Sequence, residues 1–168
     1  MSENIKPIYA RGFFNMNNLG ETNQLVIFYY YDKDSYYASL KKDEIKNELN
    51  KLKDNMQYYL DREIIKVNGK RVKAKVLFTR LGLLDVTHPY VEFIIRFYGE
   101  LNQGENLYED IYEEEIAEYP YEAIWVLPGK IISYSLSGRV KIKNNILFVK
   151  VKKGTKIKGN EKIVFFIE

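Results

Sequence analysis

Hydrophobic and polar positions alternate with a period of two over most of the chain, and only once with the period of a helix. "QLVIFYYY", Gln24 to Tyr31, is rich in β-branched and aromatic residues and lies between turn-like clusters, which predicts a strand. "REIIKV" and "RVKAKVLF" flank Asn68-Gly69, a dipeptide that tolerates the positive φ angles of a tight hairpin. In the second arm Val72, Ala74, Val76 and Phe78 are predicted to share one face, and Arg71, Lys73 and Lys75 the other. "YVEFIIRFYG" sets Val91, Phe93, Ile95 and Phe97 on one side. Ile94 and Tyr98 add apolar weight to the other, the mark of a central strand. The last third reads as a meander: "KIISYSL", Ser137-Gly138, "RVKIK", Asn144-Asn145, "ILFVKV", then "KIVFFI" after Gly154 and Gly159.

The helical exception is Lys41 to Asp61. Ile45, Leu49, Leu52, Met56 and Tyr59 recur at spacings of four and three, with no Gly or Pro between them. Ser39 is the candidate cap, although Lys42 three residues on denies it a full capping box. A second segment, 105–118, fits two patterns. As a helix it gathers Leu107, Tyr108, Ile111, Tyr112, Ile116 and Tyr119 on one face, stopped by Pro120. As a strand it mixes Tyr108 and Tyr112 with Asp110 and Glu114, so periodicity favours the helix, and acids suit a helix start. "YEAIWVLPG", Tyr121 to Gly129, returns to strand and ends in a turn. No linker, repeat or low-complexity tract divides residues 1–168. The expectation is a single, mainly β domain, antiparallel and sandwich-like in preference to a barrel. One amphipathic helix is inserted at about 41–60, and the class becomes α+β if 105–118 is also helical.

Composition narrows the chemistry. Cysteine is absent, which removes disulfides, thiolate nucleophiles and Cys-ligated metal sites. No apolar run is long enough to cross a bilayer, and the N-terminus lacks the basic start and apolar core of a secretory signal. A cytoplasmic protein with no membrane partner is expected. Abundant Lys and Glu without Cys suits a thermophile, against which the many Asn residues count.

Charge is distributed unevenly. Nine acids and no base lie between Glu100 and Glu122, whereas ten bases and one acid, Glu161, lie between Lys130 and Lys162. The expectation is that the two segments fold against each other and neutralise one another at the surface. Glu109, Asp110, Glu113, Glu114, Glu115 and Glu118 could in principle hold a metal or act on a sugar, but consecutive acids point in different directions. They are read as a solvated face. His88, the only histidine, precedes Pro89 and is read as a turn residue bonded to backbone, with Asp85 as its nearest acid. No "GxSxG" elbow and no phosphate-binding glycine loop occurs. No residue is therefore assigned to catalysis, to a cofactor or to a metal.

Two surfaces remain. Arg71, Lys73, Lys75, Arg139, Lys141, Lys143, Lys150 and Lys152 fall on strand faces and form a candidate nucleic-acid face. Few aromatics interleave with them, as base stacking would need. Arg11-Gly12-Phe13 coincides with the start of the RNP1 strand of RNA-recognition domains, but Phe14 breaks the match and the segment lies too early in the chain. Tyr29, Tyr31, Tyr36 and Tyr37 form a candidate protein interface, since tyrosine is large, stiff and amphipathic. The leading expectation is a non-catalytic binding or assembly protein that uses a Tyr-rich β surface, with a protein partner or a second copy. A nucleic-acid-binding protein comes next and a carboxylate-based metal-dependent enzyme third.

Overall fold

The computed structural model describes residues 4–168. Two antiparallel-dominated sheets pack face to face, without closing into a barrel. The chain enters through β1 (Ile5–Met16) and β2 (Glu21–Asp32), then a short turn of helix α1 (Tyr36–Ser39) and the long helix α2 (Lys42–Arg62). It continues through β3 (Ile64–Val67), β4 (Lys70–Val72), β5 (Lys75–Asp85), β6 (His88–Tyr98), β7 (Gly104–Ile111), β8 (Glu115–Ile116) and β9 (Tyr121–Val126). Last come β10 (Lys130–Ser135), β11 (Arg139–Lys143), β12 (Ile146–Val151), β13 (Lys156–Ile157) and β14 (Asn160–Ile167).

The larger sheet has seven strands in the order β11-β12-β9-β1-β2-β6-β5, the smaller has five in the order β10-β14-β7-β3-β4, and β13 and β8 form a separate two-stranded ladder. All their pairings are antiparallel except β1 with β9. Alternation sends Met16, Tyr30, Phe93, Ile95, Phe97, Trp125 and Leu147 inward from the large sheet. Ile65, Val67, Tyr108, Ile163 and Phe165 meet them from the small one. The described part of the chain is thus mainly β with a helix, as its pattern predicts.

Four details depart from that pattern. Segment 105–118 is β7 and β8, not a helix. Its backbone is paired on both sides, by β14 and β3, and Asn106 and Tyr108 point inward on alternate positions. The ladders outweigh a helical spacing that carries no burial of its own. "RVKAKVLF" is not one hairpin arm. After the Asn68-Gly69 turn, with φ of 52° and 77°, β4 stays in the small sheet and β5 crosses to the large one. A bulge after Val76 then reverses the alternation, so Val76 is buried and Phe78 is 49% exposed. The C-terminal third is likewise no meander: β11 and β12 belong to the large sheet, β10 and β14 to the small one.

Helix α2 begins at Lys42, where the Lys41 N–H donates to the Glu44 carboxylate at 2.7 Å. Ser39 does not cap it; its hydroxyl donates to the Tyr36 carbonyl. The packed stripe runs through Glu48, Leu52, Met56 and Leu60, while Tyr59 is 57% exposed. Tyr37 makes Glu48 tolerable inside by donating its hydroxyl to Glu48 Oε1 at 2.9 Å.

Candidate functional site

Three carboxylates meet on the inner face of the small sheet. Asp110 on β7 lies directly opposite Glu161 on β14 and also opposite Ile65 on β3. Glu63, at the joint between α2 and β3, stands two residues before Ile65 and so reaches the same face. Tyr112 donates its hydroxyl to Glu161 Oε1 at 2.8 Å. Asp110 Oδ1 is buried and has no hydrogen-bond partner among the described residues.

These acids line a cavity of about 320 Å³ between the sheets. Aromatic rings form its walls: Tyr108 and Trp125 have centroids 4.6 Å apart, and Phe14 meets Trp125 edge-on at 4.9 Å. Tyr112, Tyr119 and Tyr121 add polar tips, and Met56 and Leu60 of α2 add apolar floor. Glu115, exposed on β8, marks an end open to solvent. Among the described residues, the only cation on the lining, Arg11, alternates toward the other face of its strand and pairs with Glu122 at 3.2 Å.

Burial governs the electrostatics. It pushes the Asp110 carboxyl well above the usual range, and the charges of Glu63 and Glu161 push the same way. Burial also raises Glu63 and Glu161; the hydrogen bond with Asp110 acts against this at Glu63, and that with Tyr112 at Glu161. Tyr108, Tyr112, Tyr119 and Tyr121 are raised by burial and by the neighbouring carboxylates, so all four remain neutral phenols. Asp110, raised to about 9, therefore holds its proton at neutral pH.

The acidic run divides. Asp110 and Glu115 border the cavity, whereas Glu113, Glu114 and Glu118 are exposed. The acidic and basic segments do fold against each other, through β7 with β14, β8 with β13 and β9 with β12. Yet only Lys156 and Glu114, 3.7 Å apart and both exposed, form an ion pair between them among the described residues. Mutual surface neutralisation is therefore a minor term, and Asp110 with Glu161 does the opposite, turning two acids inward. Among the described residues, no group of three His, Asp or Glu side chains is arranged to hold a metal ion.

The basic positions do not build one continuous patch. Arg71 lies on an edge strand of the small sheet, and Lys75 at the β5 edge of the large one. Arg139, Lys141 and Lys143 lie on β11, at the opposite edge, with Lys150 beside Arg139 on β12. Lys73 and Lys152 fall outside the strands. The tyrosines divide as well. Tyr29 lies on the outer face of the large sheet between Tyr9 and Tyr90, with ring centroids 6.1 Å from each. Tyr31, 42% exposed, abuts His88, and Tyr36 is 39% exposed. Tyr37 is only 2% exposed and cannot serve an interface. His88 closes the β5–β6 turn with its Nδ1 2.9 Å from Asp85 Oδ1, a side-chain partner in place of the backbone one expected. That contact helps hold the Asp85 carboxyl down to about 2.

Reading acids by runs points to 109–118 and passes over Glu63 and Glu161. Glu161 did carry a signal: it is the lone acid of a basic stretch and shares alternation with Ile163 and Phe165, both fully buried. Glu63, between a helix and a strand, carried none.

No family model matches the chain, and no curated protein matches it. Among solved structures, native yeast LTA4 hydrolase is similar over 97% of this chain and 29% of its own length, with a TM-score of 0.39 and 6% identity. A putative protease from Parabacteroides distasonis is similar over 98% of this chain and 40% of its own, with a TM-score of 0.35 and 6% identity. The chain thus spans well under half the length of either, and at this level neither likeness speaks to what it does.

Proposed function

We propose that the protein is a non-catalytic binding protein whose ligand is a small organic cation seated between the two sheets. One observation carries this reading: Glu63, Asp110 and Glu161 converge on an aromatic-walled cavity whose only cation among the described residues, Arg11, is already paired. Burying like charges side by side costs stability. An ammonium group would remove that cost by supplying the missing positive charge, and Trp125, Tyr108 and Phe14 offer π faces and apolar surface to its substituents. The cavity lies at the lower end of the range for small-molecule sites, about 300–1,000 Å³.

Calorimetry with choline and benzylamine tests the reading, with 3,3-dimethylbutanol and benzyl alcohol as neutral counterparts. The cations bind and the alcohols do not. Choline carries a permanent charge, so its affinity rises from about pH 6 to about pH 9 as the carboxyls ionise, with protons released to buffer. The Asp110→Asn, Glu161→Gln double variant loses at least about tenfold in affinity, the scale of one lost ionic contact. Equal affinity for choline and its neutral counterpart, or unchanged binding by the double variant, would overturn it.

A further inference from the structure

The outer face of the large sheet carries an uninterrupted apolar row across six strands. Following the register from β12 to β5, Phe148 pairs with Ile124, Ile124 with Phe13, Phe13 with Leu25, Leu25 with Ile94, and Ile94 with Phe78. Directly opposed residues share a face, so the six side chains stand side by side. The row is open: Phe13 is 45% exposed, Leu25 36% and Phe78 49%. Isolated apolar residues at a surface are ordinary, but a continuous strip across a sheet is not. Sheet proteins shield such faces with a second layer, and the small sheet already covers the opposite side.

We propose that a second copy of the chain covers this face, through a two-fold axis running along β1. The row complements itself under that operation. Phe13 meets its own copy, Ile124 meets Leu25, and Phe148 meets Ile94. At the end of the row Lys141, opposite Phe148 in the ladder, comes over Phe78, a cation over an aromatic face. In the neighbouring row Lys150 comes over Glu92, whereas Arg11 meets its own copy and Arg139 comes over Arg80, so the apolar row and not charge carries the contact. Seven strands at about 4.8 Å spacing span about 29 Å, and five residues along each strand add about 17 Å. That is about 500 Å² per copy and about 1,000 Å² per pair, the area at which specific association begins. Each acid of the central strands is already bonded within the face, Glu122 to Arg11, Glu92 to Arg80 and Glu21 to Arg96, so these carboxylates enter the contact paired.

Sedimentation equilibrium over the micromolar range tests this on the whole chain. The wild type is a reversible monomer–dimer system. Phe13→Glu and Leu25→Glu each set a carboxylate against the partner's apolar row and weaken association at least about a hundredfold. Both positions are exposed, so thermal stability of the monomer and choline binding in the interior cavity are retained. The control Ile132→Glu, at a 56% exposed position on the small sheet, leaves the dimer intact. A monomeric wild type at the highest concentration, a dimer that survives both row variants, or one that Ile132→Glu alone dissolves would each overturn the proposal. Binding of single-stranded nucleic acid to the wild type that Phe13→Glu abolishes would also overturn it, by giving the face another occupant.

Discussion

Asp110 and Glu161 occupy directly opposed positions on neighbouring antiparallel strands, with both carboxyls turned toward the core. Like charges in that arrangement repel at short range, so the pair persists by keeping at least one proton. The pH dependence follows. The native carboxyls, Glu63 included, are raised above their unfolded values, so the native state binds more protons than the unfolded one. Stability is fully present below the unfolded carboxyl range, about pH 4, and is lost as pH rises through the raised native values. Urea unfolding followed from acid to alkaline pH should show this decline, and Asp110→Asn should flatten it and gain about 1–3 kcal/mol above neutrality. A wild-type stability that climbs over the same range would contradict a proton-holding site.

Gly12 sits beneath the Phe14 ring, where an added Cβ would come 2.6 Å from one ring carbon and 2.9 Å from another. Phe14 in turn leans edge-on against Trp125. Gly12→Ala should therefore push Phe14 off the indole and cost about 1–3 kcal/mol by overpacking. Trp125 is the only tryptophan and is 4% exposed, so its fluorescence and near-ultraviolet dichroism report the shift directly. Unchanged spectra and stability would mean that the wall has slack.

The buried hydroxyl of Tyr37 bonds Glu48, whose side chain faces inward from α2. Tyr37→Phe should cost about 1–3 kcal/mol, since it leaves a buried carboxylate short of a donor. Adding Glu48→Leu to Tyr37→Phe should recover much of that loss, because both polar partners then leave together. Chemical denaturation of the two variants checks both outcomes.

How much of this was legible in the residues depends on which force decided each element. Strands such as β2 and β6 declare themselves because alternation and burial agree. Helix α2 declares itself because Leu52, Met56 and Leu60 recur on a helical stripe. Segment 105–118 misleads because its conformation is set by β3 and β14, one earlier and one later in the chain, and no local period reports such pairing. The cavity was hidden for the same reason. Glu63, Asp110 and Glu161 are far apart in sequence and become neighbours only through strand register, whereas a run of adjacent acids is conspicuous and mostly solvated.

The exposed edge of β5 is guarded by a side chain from the helix. Gln57 accepts from the Val76 N–H at 2.9 Å and donates to the Ala74 carbonyl at 3.0 Å, taking the place of a neighbouring strand's peptide group. An edge strand with free backbone groups is a template for pairing with other chains. Gln57→Leu keeps the volume and removes both hydrogen bonds, so it should cost about 1–3 kcal/mol, the scale for stranding a partly buried backbone donor and acceptor. It should also make the chain aggregate on mild heating, with Val76 and Leu77 as the new pairing edge. Light scattering during a thermal ramp, beside a urea titration at low concentration, separates the two effects. Stability loss without aggregation would show that the bulge after Val76 twists the edge away by itself, and aggregation without stability loss would show that the side chain acts as a guard alone.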